Sequence, residues 1–163
     1  MQDLDLLLVG SGGQAFKILS DVGDANPATG INLTLDDAAT FAIPIGSTLT
    51  GGTFRPMDGT GPADNFPAPA PVNVNAPAPT GSATFASVYN TTNPNGTFSL
   101  YAVDDALGGG AGSLGDVCLN FTLAKFTTSI TVTSSLNPAN RGQSVTFRAA
   151  VTTAGTGTPT GTV

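Results

Sequence analysis

The sequence predicts an all-β fold, and three observations carry that reading. All eleven acidic residues are aspartate and none is glutamate; glutamate favours helices, whereas aspartate favours turns. The 163 residues include 21 glycines and 12 prolines, which punctuate a chain and break helices. Several short runs also alternate apolar and polar side chains, the period of a half-buried strand. A hydrophobic content of 40% supports a packed core, and the length suits one full domain plus part of a second.

The elements follow in order. Asp3–Val9 reads as a strand, and Gly10-Ser11-Gly12-Gly13 turns it into a hairpin with Ala15–Leu19. Residues 20–30 are loop. Ile31–Leu35 alternates Ile31, Leu33 and Leu35 with Asn32 and Thr34, and Asp36-Asp37 close it. Thr48–Pro56 is a further short strand. Residues 62–80 interleave proline with alanine, which locks an extended path and keeps it out of the middle of a sheet. This stretch is read as a long ordered loop inside one domain, because the strands on either side are too few to fold alone. Ser82–Tyr89, Thr97–Val103 and Val117–Leu123 complete the first set of strands.

Around Lys125 the character changes. Ser129–Thr133 alternates, Asn137-Pro138 turns, and Ser144–Val151 alternates Val145, Phe147, Ala149 and Val151. A third strand only begins at Thr162-Val163. The expected domains are therefore 1–124 and an incomplete one at 125–163.

Charge and residue usage exclude whole classes of chemistry. The net charge is −6, and Lys17, Arg55, Lys125, Arg141 and Arg148 are scattered along the chain. Nucleic acid needs clustered cations, so it is not an expected partner. The 163 residues contain no histidine, which removes Ser-His and Cys-His nucleophile pairs and the commonest zinc ligand. Cys118 is the single cysteine, so no internal disulfide forms; flanked by Val117 and Leu119, it reads as a small buried apolar residue. The apolar run Leu6–Val9 is too short to cross a membrane and has no basic residues before it. Membrane insertion is not expected, and a signal for export would lie upstream of this chain.

Four acidic pairs stand out: Asp3/Asp5, Asp21/Asp24, Asp36/Asp37 and Asp104/Asp105. Alternation places Asp3 and Asp5 on one face of their strand. If strand ends bring Asp3 or Asp5 near Asp104 or Asp105, their hard oxygen ligands suit calcium, the one cofactor these residues point to. The other reading is that each pair caps a turn by accepting backbone N–H bonds. Glycoside hydrolysis by paired carboxylates wants an apolar pocket and aromatic platforms, and tryptophan is absent.

The stretch 97–121 resembles the closing motif of the proprotein convertase P domain (P/Homo B). Gly96, Phe98, Leu100, Val103, Asp104, Gly112, Ser113, Leu114 and Leu119 fall on that family's pattern of glycine, aromatic and leucine positions around a glycine-rich turn. Asp3-Leu4 with Leu8 and Gly10–Gly13 resembles the family's opening hairpin, and Thr53-Phe54-Arg55-Pro56 its Gly-x-aromatic-x-Pro element. The tryptophans usual at the positions of Phe98 and Val117 are absent, and the strands that normally precede Asp3-Leu4 are missing. Residues 126–163 resemble the first half of a bacterial immunoglobulin-like repeat, through Ser135-Leu136-Asn137-Pro138, Gly142-Gln143-Ser144-Val145-Thr146-Phe147 and Thr158-Pro159-Thr160-Gly161-Thr162-Val163.

These resemblances imply a jelly-roll-like β-sandwich, one N-terminal strand short, followed by a partial immunoglobulin-like β-sandwich. They imply a non-enzymatic structural or adhesive module of a secreted or cell-surface bacterial protein, partnered by neighbouring domains of a longer chain or by copies of itself. Two alternatives are an accessory domain stabilising a subtilisin-like protease and a self-assembling extracellular filament subunit joined by strand donation. Carbohydrate binding, with only phenylalanine and two tyrosines to stack on sugars, ranks below them.

Overall fold

The first hairpin builds the core of the first unit. A computed structural model describes residues 3–61, 63–105, 112–123 and 126–155. The segment 106–111, Lys125 and the strand expected at Thr162-Val163 lie outside them. The chain divides into two compact units, Met1–Asp116 and Val117–Val163. The architecture is all-β, with a single five-residue helix among the described residues.

In the first unit, β1 (Leu4–Val9) and β2 (Ala15–Ser20) form an antiparallel hairpin, and β6 (Ser99–Asp104) pairs antiparallel with the other side of β1. The short β5 (Met57–Asp58) runs parallel to the far end of β2, giving the order β5-β2-β1-β6. The hairpin turn closes with Gly10 N–H donating to the Gln14 carbonyl at 2.8 Å. Gly13 there has φ of +83°, a conformation glycine adopts without a Cβ penalty. A second, two-stranded parallel sheet pairs β3 (Leu33–Leu35) with β4 (Gly52–Phe54).

Both faces of the central sheet are covered, so the arrangement is sandwich-like. One face presents Leu6, Leu8, Phe16, Ile18 and Leu19, packed with Val22, Ile43 and Leu49. Leu33, Leu35 and Phe54 of the smaller sheet lie against this cluster. The opposite face carries Leu7 and Ala15, covered by Phe66 and Ala70. Those two residues come from the proline–alanine stretch, which is thus an ordered cover within the first unit. Its Asn75 acts as a substitute strand at the edge of β2: Lys17 N–H donates to the Asn75 carbonyl at 3.0 Å, and Asn75 N–H donates to the Ala15 carbonyl at 3.1 Å.

Three expectations are overturned: two strands and the burial of Cys118. Ser82–Tyr89 is not a strand, because Phe85–Tyr89 forms the helix α1. Phe85, Val88 and Tyr89 recur at helical spacing and pack on the core. Thr84 and Ser87 make a reciprocal capping box, and the Asp37 carboxylate accepts from Phe85 N–H and Ala86 N–H at 3.0 and 2.7 Å. Val117–Leu123 is not a strand either; its alternating side chains are all exposed, and so is Cys118. Alternation needs a partner strand to become a sheet, and none pairs with this stretch among the described residues.

The second unit is an antiparallel hairpin of β7 (Thr128–Ser134) and β8 (Phe147–Thr153), as the alternation there predicts. Ser135 N–H donates to the Thr146 carbonyl at 2.9 Å and extends the pairing past Ser134.

Phe16 is the keystone of the first unit. Its fully buried ring meets Phe85 edge-on at 5.1 Å and Tyr89 at 6.4 Å. The Tyr89 hydroxyl donates to the Leu8 carbonyl at 2.7 Å, pinning α1 to β1. Phe16→Ala is expected to destabilise the first unit by about 3–5 kcal/mol, read as a lower urea midpoint; a change below about 1 kcal/mol would contradict the packing described.

Candidate functional site: a buried acidic cluster

An irregularity in β2 puts charge on the sheet. Leu6 pairs with Leu19 but Leu7 pairs with Lys17, so Ile18 is an extra residue, a β-bulge. The bulge lets Ile18 and Leu19 both join the larger core cluster. It also returns Ser20 to the face that carries Lys17. On β1, the residue two before Leu7 on that same face is Asp5.

Lys17 is buried, and its ammonium is held by two carboxylates, Asp58 at 3.0 Å and Asp64 at 2.5 Å. Burial pulls its pKa down, but these two partners outweigh that and hold it above the ordinary lysine value. Asp58 also accepts from the Thr80 hydroxyl, and Asp64 from the Ser20 hydroxyl at 2.9 Å. The segment after β5 crosses closely over the residue that ends β2. Gly59 N–H donates to the Ser20 carbonyl at 2.8 Å, and a Cβ at Gly59 would fall on the Asp21 carbonyl oxygen. Asp21 itself has φ of +50°, a left-handed conformation that aspartate tolerates better than most residues.

Asp5 completes the cluster and is its anomaly. It is 1% exposed, yet neither carboxylate oxygen has a hydrogen-bond partner. Asp64 Oδ1 is likewise buried without a partner. Burial, then repulsion from Asp64, pushes the Asp5 carboxyl up to about 7; the nearby Ser20 hydroxyl offsets only part of this. Asp105 and Asp21 add to the repulsion. Burial and its acidic neighbours raise Asp21 as well. Five carboxylates, those of Asp5, Asp21, Asp58, Asp64 and Asp105, thus repel one another in a cluster whose one ammonium is held by Asp58 and Asp64.

Of the four residues expected to gather, the structure brings together Asp5 and Asp105. Their carboxylate oxygens and that of Asp64 all lie within 4.8 Å of one another. Asp3 is tied to Asp105 through backbone, with Asp105 N–H donating to the Asp3 carbonyl at 3.1 Å. Asp104 pairs with Leu4 and is exposed, on the opposite face of the sheet from Asp5 by alternation. Asp64 is the residue that sequence reasoning missed; it lies in the proline-rich stretch, where no periodicity assigns a face.

Of the remaining pairs, Asp24 and Asp36 order turns. Asp24 accepts from Asn26 N–H at 2.9 Å and from the Thr48 hydroxyl at 2.8 Å, and Asp36 accepts from Ala38 N–H at 2.8 Å. Away from this cluster, a concavity of about 150 Å³, lined by Asp37, Arg55 and Met57 among others, is smaller than a typical ligand pocket. Its two charged groups are already engaged, Asp37 on α1 and Arg55 on the Ala39 and Thr40 carbonyls.

Chemically, the cluster can share a proton between close carboxyls or hold a hard cation. No protein-family model, curated protein or solved structure matches the chain.

The raised Asp5 carboxyl gives stability a definite pH slope. In the unfolded chain it ionises near 3.8, and in the fold only near 7. Between those values the folded state binds the extra proton, so stability falls as pH rises through that window and levels off above it. In buffer free of divalent cations, the loss is expected to reach a few kcal/mol, at up to about 1.4 kcal/mol per pH unit. Asp5→Asn is expected to flatten the slope and to be more stable than wild type at pH 8. Denaturant titrations across pH 4–8 check this; parallel profiles for the two proteins would contradict it.

Proposed function

We propose that this chain is a non-enzymatic structural or adhesive module of a secreted or cell-surface bacterial protein, built from β-sandwich units in tandem. The first unit is assigned to a jelly-roll-like sandwich of the P-domain type and the second to part of an immunoglobulin-like repeat. The observation that carries the reading is the one-sided character of the second hairpin. Ile130, Val132, Ala149, Val151 and Phe147 share one face, and Ser129, Thr131, Thr133, Arg148 and Thr152 share the other. A hairpin with one apolar face fits a fraction of a sandwich layer, since that face is stabilised by burial against a second layer such as another sheet. Ile130, Val132 and Phe147 are more than half exposed in this chain.

Two further points support the reading. The two units follow one another as separate compact bodies, the arrangement expected of modular chains. In the first unit, several charged groups hold chain segments together: Lys17 with Asp58 and Asp64, Asp37 on α1, Arg55 on the loop at 39–40.

The exposed apolar face also favours a second reading, in which a copy of the chain covers it by strand donation. Sedimentation velocity over a wide concentration range separates the two. A tandem module is expected to remain monomeric. Strand donation predicts larger species that Val132→Asp dissociates. Turnover of peptide, ester or glycoside substrates that copurifies with the folded chain and disappears in Asp64→Asn would overturn the non-enzymatic assignment.

A further inference from the structure

We propose that Asp5, Asp64 and Asp105 form a calcium site that ties the ends of β1 and β6 to the segment following β5. Three observations converge on it. The three carboxylates place oxygens within 4.8 Å of one another, inside the roughly 5 Å that separates oxygens on opposite sides of a calcium ion. Asp5 is fully buried and neither of its oxygens is hydrogen-bonded, and Asp64 contributes a further buried oxygen without a partner. A buried carboxylate with nothing to bond is costly, and a cation supplies the missing partner.

Lys17 does not fill this role, because its ammonium is engaged by Asp58 and by the other oxygen of Asp64. Asp64 therefore faces two cations at once: Oδ2 takes Lys17 and the Ser20 hydroxyl, and Oδ1 is left for the ion. Access is provided from the Asp105 side, since that residue is exposed. Asp21 and Asp58 add negative charge around the site and bias it toward a divalent ion. Oxygen-only donors suit calcium, which accepts loose geometry and fills its remaining positions with water. The inference concerns the first unit alone and does not depend on the adhesive or structural role of the whole.

The full chain is first stripped with chelator, then melted with and without millimolar calcium or magnesium, and binding is measured by calorimetry with calcium chloride. Calcium is expected to raise the melting temperature of wild type clearly more than magnesium does. Asp105→Asn, an exposed change that leaves the core intact, is expected to weaken calcium binding by at least the roughly 10-fold that even an outer-shell partner costs. Asp5→Asn, nearly isosteric and checked for folding by circular dichroism, is expected to abolish the shift, whereas Asp104→Asn retains it. No binding by wild type, an equal shift with magnesium, or a shift preserved in folded Asp5→Asn would each overturn the site.

Discussion

The first unit depends on neutralising one lysine inside a sheet. All six residues of β2 are buried, and the strand carries Lys17 in its middle. An ammonium removed from water is tolerated only when paired and hydrogen-bonded. Asp58 and Asp64 meet that need, and in doing so they recruit chain from far along the sequence. Asp58 belongs to β5, and Asp64 leads into the stretch that buries Phe66 and Ala70 on the sheet. The ion pairs thus specify where the second cover is laid down, while apolar burial supplies the drive.

The bulge at Ile18 makes this arrangement possible. In a regular strand, Lys17 and Ser20 would face opposite sides. With one residue inserted, both reach the acidic face while Ile18 and Leu19 serve the larger core. A single local irregularity therefore supplies apolar contact to one layer and polar contact to the other. Its cost is a concentration of carboxylates that the lysine alone does not balance, centred on the unpartnered Asp5.

The strands were legible wherever alternation coincided with a partner. Asp3–Val9, Ala15–Leu19, Thr97–Val103 and both strands of the second hairpin lie within a residue or so to a few residues of their observed bounds. Two stretches misled for separate reasons. In 82–89, Phe85 and Tyr89 fit a helical repeat, and the Thr84–Ser87 box marks its start, a local signal overlooked in a threonine-rich chain. In 117–123 the alternation is present but no strand among the described residues pairs with it. The acidic cluster was half legible: Asp5 and Asp105 follow from strand pairing, whereas Asp64 is brought in by a loop whose path is set by tertiary contacts alone.

The segment around Asn75 has an effect on assembly. By hydrogen bonding to both Ala15 and Lys17 it occupies the rim of β2 in the place of a neighbouring chain. Proline at 77 and 79 and at 67, 69 and 71 deprives the flanking backbone of donors. The outer surface of this cover therefore offers a poor template for another molecule's extended backbone. The flank is insulated against fibril-like growth, a safeguard suited to a chain so rich in β-forming residues.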